Sequence, residues 1–187
     1  MISEELRSIP TGTPGVYCMF DLDGEPAYAG RSSKLRSRLR QHFIRQDSSV
    51  VSYGRLDIWD ISFVDWWSTE ETNRAEEKLL AEYRPYLNFD ADVGASSAET
   101  EISVDDPDGT LELVTKDELE FRADPYNRSK QKLEHLLRML DKIKLAGHSD
   151  DTKQTVFEHQ RILYQNVVEF LDVEPPQNNT NLTEWND

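Results

Sequence analysis

Short apolar runs separated by polar turns fill the first ninety residues of the chain. The run GVYCMF (15–20) ends at the Asp-Gly of DLDGEP, which is a hairpin-turn signal, and PAYAG (26–30) follows as the returning strand. A third run, RLDIWDISFVDWW (55–67), is rich in β-branched and aromatic residues, which favour a strand. The pattern therefore predicts three strands in this part of the chain.

Two helices are predicted between and after these strands. From Lys34 to about Arg45, apolar residues recur every fourth position at Leu35, Leu39 and Phe43, while cations occupy the other face. The second helix opens at the capping-box pattern of residues 68–71 and runs to about residue 84, where Pro85 favours its end. The order strand, strand, helix, strand, helix predicts a small domain over residues 1–90.

The rest of the chain has a different pattern and is predicted to be a mainly helical extension over 91–175. A polar stretch (90–101) reads as a loop, and 102–114 reads as a short hairpin around Asp-Pro-Asp-Gly. Two amphipathic helices are expected near 126–145 and 150–171. The polar residues 176–187 are expected to form a disordered tail.

Composition limits the class of protein. The 187 residues include 36 acidic and 21 basic side chains, with a formal net charge of −15, and the excess acid lies in the second half. This acidic half is explained by a solvated surface, which fits adaptation to high salt without requiring it. The single Cys18 excludes an intrachain disulfide, and no apolar run is long enough to cross a membrane. A cytoplasmic location with no membrane partner is the expectation.

One stretch departs from this acidity. Residues 28–43 carry five cations and no acid. Such a face is either simply solvated or built to bind a polyanion, because Arg and Lys make the phosphate contacts that dominate nucleic-acid affinity. Composition leaves both readings open.

The spacing of several short motifs goes further. The elements GVY (15–17) and YAG (28–30) are followed by Arg38 and His42, and then by EEKLLAEYRPYLN (76–88). In this order and at these intervals they resemble the GIY-YIG nuclease family over about residues 8–90. Ala29 stands where the family keeps an isoleucine, which predicts a slightly emptier core and no chemical loss.

The resemblance implies an α+β fold with a three-stranded antiparallel sheet flanked by helices, and a metal-dependent endonuclease acting on DNA. One Mg²⁺ or Mn²⁺ ion would be held by Glu76, Arg38 would hold a phosphate oxygen, and Tyr17 would be the general base, its pKa lowered by neighbouring cations or a relay. His42 would relay protons or orient the water, Tyr28 would orient the nucleophile or phosphate, and Asn88 would tie the last helix to the site. The implied catalytic residues are Tyr17, Tyr28, Arg38, His42, Glu76 and Asn88.

The cations around this site are the expected DNA contacts: Arg31, Lys34, Arg36, Arg40 and Arg45. Restriction, mobile-element and repair roles are all consistent with the sequence. A non-catalytic nucleic-acid or protein interaction module on the same fold is the alternative. The role of the acidic extension is open, and its helices are compatible with a homodimer or a protein partner.

Overall fold

The computed structural model of the protein describes residues 2–89, 101–146 and 149–174. These residues form an α+β fold in which a four-stranded antiparallel sheet is covered by helices and joined to a long helical hairpin. The elements in chain order are α1 (Ile2–Glu5), β1 (Gly15–Asp21), β2 (Pro26–Ser32), α2 (Leu35–Arg40), a π-helical turn (Gln41–Arg45), α3 (Ser49–Ser52), a 3₁₀ turn (Ile58–Asp60), β3 (Ile61–Ser68), α4 (Thr72–Tyr83), β4 (Gly109–Glu112), α5 (Lys116–Ala123), α6 (Pro125–Ala146) and α7 (Asp150–Leu171).

The predicted hairpin between β1 and β2 is confirmed. Gly24 has a φ of 79°, which a residue without Cβ adopts at little cost. The side chain of Asp21 accepts hydrogen bonds from the backbone N–H groups of Asp23 and Glu25, both at 2.9 Å. The turn is therefore fixed by local chemistry that the sequence DLDGEP already contains.

The sheet has four strands in the order β2-β1-β3-β4, rather than the three expected, and the predicted hairpin over 102–114 is wrong. Only β4 forms a strand there, and it pairs with β3. Ile102 and Val104 are instead buried beside Trp67 in the apolar core under α4. Because Ile102 and Val104 are buried in this core, their segment does not form the first strand of the predicted hairpin.

Two apolar cores lie on the two faces of the sheet, and β1 contributes to both. Tyr17 and Met19 point into the core beneath α2. Val16, Cys18 and Phe20 point into the core beneath α4. Because neighbouring side chains of a strand face opposite ways, the continuous apolar run of β1 is explained by burial on both sides.

Both predicted helices of the first part are present but shorter. The basic helix is split into α2 and the π-helical turn, and the third strand is confined to β3. The capping box at residues 68–71 does not form: Glu71 donates its N–H to Thr69 Oγ1 at 3.1 Å, and α4 begins only at Thr72. The turn made by Thr69 occupies the residues that the box would have used.

The extension agrees with the prediction in its two long helices, α6 and α7, and adds the unpredicted α5. Thr115 begins α5 by accepting a hydrogen bond from the Glu118 N–H at 3.2 Å. The predicted tail at 176–187 and nearly all of the predicted loop at 90–101 lie outside the described residues. Within the described ranges, no helix has the length and apolar character needed to span a membrane.

Candidate active site

Tyr17 lies at the centre of the site, in the middle of β1, with its side chain fully buried. Its cross-strand neighbour is Gly30 of β2. A Cβ atom at Gly30 would lie 2.7 Å from the Tyr17 hydroxyl oxygen. Gly15 is equally constrained, since its Cβ would lie 2.0 Å from the carbonyl oxygen of Trp67. Close packing thus explains both glycines of the two signature strands.

Arg38 reaches the site from α2. Its guanidinium lies close enough to the hydroxyl groups of Tyr17 and Tyr28 to shift the pKa of both, and it donates a hydrogen bond to Gln41 Oε1 at 3.4 Å. The two tyrosine rings have centroids 6.4 Å apart. Two phenols therefore converge on one guanidinium, which is half-buried.

His42 lies behind Tyr17, in the π-helical turn that follows α2. Its Nε2 is 2.7 Å from the Tyr17 hydroxyl, and its Nδ1 is 2.8 Å from Ser48 Oγ. The Arg38 cation near the Tyr17 oxygen favours the arrangement in which the phenol donates its proton to His42 Nε2. Nδ1 then carries the imidazole hydrogen and donates to Ser48. The three side chains form a buried chain for a proton.

Neither the Tyr17 hydroxyl nor the His42 imidazole is charged at neutral pH. Burial, aided by the Arg38 charge, lowers the pKa of His42 to about 3. Burial raises the pKa of Tyr17 well above its usual range, and the neighbouring Tyr28 raises it further, while Arg38 opposes the shift. The expectation that neighbours would depress the Tyr17 pKa is therefore wrong for this state, because desolvation outweighs the cation.

Glu76 comes from α4 and forms an ion pair with Arg31 of β2, Nε to Oε2 at 2.6 Å. Burial raises the pKa of the Glu76 carboxyl, although Arg31 opposes the shift. The Glu76 charge in turn raises the pKa of both Tyr17 and Tyr28, so the carboxylate lies within electrostatic range of the two phenols. Arg31, expected as a DNA contact, is thus part of the same cluster.

Asn88 takes a positioning role. Its side-chain amide accepts from the Ala29 N–H at 2.8 Å and donates to the Ala29 carbonyl at 2.9 Å. It therefore fixes the segment after α4 to the outer edge of β2, as expected of a residue that ties this segment to the site. Its amide contacts the backbone next to Gly30 rather than the phenols.

The remaining predicted DNA contacts lie around α2, and the structure does not gather them on one face. Lys34, Arg40 and Arg45 are exposed. Arg36 donates to Thr11 Oγ1 at 3.1 Å. At 100° per residue, Arg36 and Arg40 each lie about 200° around the helix from Arg38. Their role in DNA binding stays a prediction.

Sequence reasoning missed Ser48 and Gln41. Ser48 is buried and holds the outer nitrogen of His42, and Gln41 accepts a hydrogen bond from Arg38. Nothing in the sequence marks them, because a serine six residues after a histidine reaches it only through the path of the intervening turn. The π-helical turn creates that path, and such turns are frequent at functional sites.

The comparison with known families decides what this cluster belongs to. Residues 13–89 match the family model described as the UvrC-like GIY-YIG domain. This segment is a GIY-YIG domain. All six residues predicted to be catalytic lie within the matched range, as do β1, β2, α2, β3 and α4. The GIY-YIG domain thus includes the whole described cluster, while β4 adds a strand from beyond it.

Three relatives of the GIY-YIG domain have the same name. UvrABC system protein C of Caldicellulosiruptor saccharolyticus is 38% identical over 90 residues, covering 46% of this chain and 15% of the relative. The protein of the same name from Acidobacterium capsulatum is 30% identical over 89 residues, covering 46% and 14%. In Lactobacillus johnsonii the match is 27% over 126 residues, covering 67% and 21%. The chain spans less than a quarter of the length of these relatives.

The donor set of the GIY-YIG domain fits one hard divalent cation. Glu76 supplies a half-buried carboxylate oxygen, and no group of three or more His, Cys, Asp or Glu side chains is poised for a metal among the described residues. Mg²⁺ commonly binds through one or two carboxylates and keeps several waters. A lone carboxylate beside two phenols suits that mode, and Arg31 would then share Glu76 with the ion.

Proposed function

We propose that this chain is a divalent-metal-dependent endonuclease that hydrolyses phosphodiester bonds of DNA at the Tyr17–Arg38–Glu76 site. One observation carries the proposal. Two phenols, a guanidinium and a carboxylate from four different elements lie within electrostatic range of one another, with His42 and Ser48 behind Tyr17. A solvated helix face would not explain these contacts, because the groups involved are buried or half-buried.

Arg38 is the first group that the substrate would engage. In the structure it covers the hydroxyls of Tyr17 and Tyr28, and the Tyr17 side chain has no exposure to solvent. A guanidinium fork binds phosphate oxygens well. Movement of Arg38 onto a non-bridging oxygen of the scissile phosphate would uncover the Tyr17 hydroxyl for the attacking water. Tyr28 would stay beside it to orient that water or the phosphate.

Tyr17 would act as the base only by passing its own proton onward. The phenol gives its proton to His42 Nε2 and takes one from the attacking water, whose oxygen bonds to phosphorus as the bond to the 3′-oxygen breaks. The bound phosphate places negative charge near Arg38, which removes part of the repulsion that lowers the His42 pKa. The leaving 3′-oxygen takes a proton from solvent water.

Glu76 would hold the metal ion, which would be Mg²⁺ or Mn²⁺ because the ligand is a hard oxygen. When bound, such an ion stabilises charge that develops on the phosphoryl group and the leaving oxygen. Arg31 would keep Glu76 oriented and reach the DNA backbone. Of the three roles considered for the enzyme, the match to UvrC-like domains favours DNA repair.

The first prediction is that the purified protein nicks supercoiled plasmid with Mg²⁺ or Mn²⁺ and does not do so with EDTA. Glu76→Gln should lower the nicking rate at least about a hundredfold, because it removes the charge that holds the ion. Glu77→Gln is the matched control, since Glu77 is the adjacent, exposed carboxylate of the same helix. The series should run from low to high salt to cover a salt-adapted enzyme.

Circular dichroism of both variants separates loss of activity from loss of fold. Binding of DNA without nicking, across all metals and salt concentrations, would support the non-catalytic interaction module instead. Equal loss of nicking in Glu76→Gln and Glu77→Gln would remove Glu76 from its proposed role.

A further inference from the structure

The helical hairpin of α6 and α7 exposes a set of large apolar side chains on one side. Each is more than half exposed, between 52% and 68%. We call this set the hairpin face, and its members are Tyr126, Leu133, Leu137 and Leu140 of α6 with Phe157, Tyr164 and Leu171 of α7. Soluble monomers rarely leave so many large apolar side chains contiguous and uncovered.

These side chains form one stripe along each of the two helices. At 100° per residue, the four positions of α6 fall within about 60° around that helix, and the three of α7 within about 40°. The buried sides of the helices face each other and the segment before β3: Lys132 of α6 pairs with Asp60, and His159 of α7 is hydrogen-bonded to Lys132 at 3.2 Å and to the Arg55 carbonyl. The hairpin face is therefore turned away from the sheet.

We propose that a second copy of this chain covers the hairpin face, so that two hairpins related by a two-fold axis form a four-helix contact. The spacing of Tyr126, Leu133 and Leu140 at seven residues is the repeat that packs helices side by side in such bundles. The exposed area of the seven side chains is on the order of 700 Å², close to the roughly 800 Å² that each partner buries in a stable interface.

Charge favours a second copy over an unrelated partner. Helix α6 exposes four basic and two acidic residues, its other two cations being buried against acids, whereas α7 carries two basic and four acidic residues. With the two-fold axis parallel to the helices, α6 of one copy lies on α7 of the other, so helices of opposite charge meet. This local complementarity offsets the repulsion that a net charge of −15 would otherwise impose on self-association.

The chain itself offers little else to cover this surface. Residues 175–187 include only Leu182 and Trp185 as large apolar side chains, and residues 90–100 include only Val93. The proposal does not depend on nuclease activity, because none of the seven residues belongs to the Tyr17–Arg38–Glu76 site.

Sedimentation equilibrium of the full chain, over a range of protein concentrations, tests the proposal. We expect a concentration-dependent species of twice the monomer mass. Leu137→Glu and Phe157→Glu should each weaken the dimer at least about a hundredfold, because a charge would be buried in an apolar contact. Leu145→Glu is the control: Leu145 is 85% exposed on the same helix but lies about 80° beyond Leu137, outside the hairpin face.

Helix content measured by circular dichroism should be unchanged in all three variants, as the substituted side chains are exposed. A wild-type chain that stays monomeric up to its solubility limit would overturn the proposal. So would a dimer that survives both face variants, or one that Leu145→Glu disrupts equally. Plasmid nicking, scored separately, cannot produce or hide any of these results.

Discussion

At the scale of single residues, the site depends on how closely Gly30 approaches Tyr17. The Tyr17 hydroxyl has partners in Arg38 and His42, and its position is set by the backbone of the neighbouring strand. The 2.7 Å gap between a Cβ at Gly30 and the hydroxyl oxygen is shorter than any ordinary contact. Residue 30 must therefore be a glycine to leave room for the Tyr17 hydroxyl, which the proposed chemistry needs.

Gly30→Ala should therefore displace the Tyr17 ring, lengthen its hydrogen bond to His42 and reduce plasmid nicking at least about tenfold. The expected loss of stability is about 1–3 kcal/mol, the usual cost of overpacking. Thermal unfolding and nicking rates measure the two effects. In a Tyr17→Phe background the stability cost of Gly30→Ala should shrink, because the clashing oxygen is gone. Equal costs in both backgrounds would mean that the contact is not with the hydroxyl.

At the scale of elements, the segment after α4 protects the open edge of β2. Tyr86 and Leu87 donate their N–H groups to the carbonyls of Pro26 and Ala27, and Asn88 completes the row with its side chain on Ala29. This row continues the sheet without forming a regular strand. An edge strand with its backbone groups satisfied in this way also keeps Tyr28 and Gly30 in place.

Replacing Asn88 by Ala should cost about 1–3 kcal/mol, because the Ala29 N–H and carbonyl lose both partners at a half-buried position. Chemical denaturation measures the change. Asn73→Ala, at an exposed position of α4, is the control and should shift stability by less than about 0.5 kcal/mol. Nicking by Asn88→Ala under native conditions should fall only modestly, since Asn88 holds backbone rather than substrate. A complete loss of nicking in a folded Asn88→Ala protein would contradict this assignment.

At the scale of the whole molecule, buried charges join α6 to the loops of the sheet. The Lys132 ammonium group has three partners: Asp60 Oδ2 at 2.8 Å, His159 Nδ1 at 3.2 Å and Asp57 Oδ2 at 3.4 Å. The guanidinium of Arg128 bonds Asp60 at 3.1 Å and pairs with two acids of the β1–β2 turn. Burial alone would raise the Asp60 pKa, but Lys132 and Arg128 lower it to about 2.

This network also explains why the acidic extension carries a basic helix. Two of the six cations of α6, Arg128 and Lys132, are directed inward to acids rather than outward to DNA. His135 and His159 of the extension are also directed inward: they are buried and donate to the carbonyls of Gly54 and Arg55. Both histidines therefore have a packing role.

Lys132→Met should lower the free energy of unfolding by about 3–5 kcal/mol, because it removes the buried lysine from Asp57 and leaves Asp60 with Arg128 alone. Lys130→Met is the control on the same helix, where the side chain is exposed, and should change stability by less than about 0.5 kcal/mol. Urea unfolding at neutral pH measures both. A Lys132→Met protein as stable as the control would show that the network contributes only specificity.

The sequence predicted the first hairpin and the two long helices, because each rests on local spacing, and its resemblance to the GIY-YIG family pointed to the six residues around the site. Turn residues, four-residue apolar repeats and motif intervals act within a few tens of residues. The fourth strand could not be predicted: Gly109–Glu112 is too short to signal a partner, and its pairing with β3 joins residues more than forty positions apart. The predicted capping box does not form because Thr69 makes a different turn over the same residues.

By itself, then, the sequence determined which segments form the first hairpin and the long helices, since these are properties of residue type and spacing, and by resemblance to a known family it proposed which side chains could do the chemistry. The tertiary structure decided their states. Burial, which no spacing encodes, kept Tyr17 and His42 uncharged, paired Arg31 with Glu76 and placed Ser48 behind the imidazole. Packing also placed one side of α6 in a buried network of charged groups and left the other side as an exposed apolar face. Which side is buried depends on contacts between distant parts of the chain.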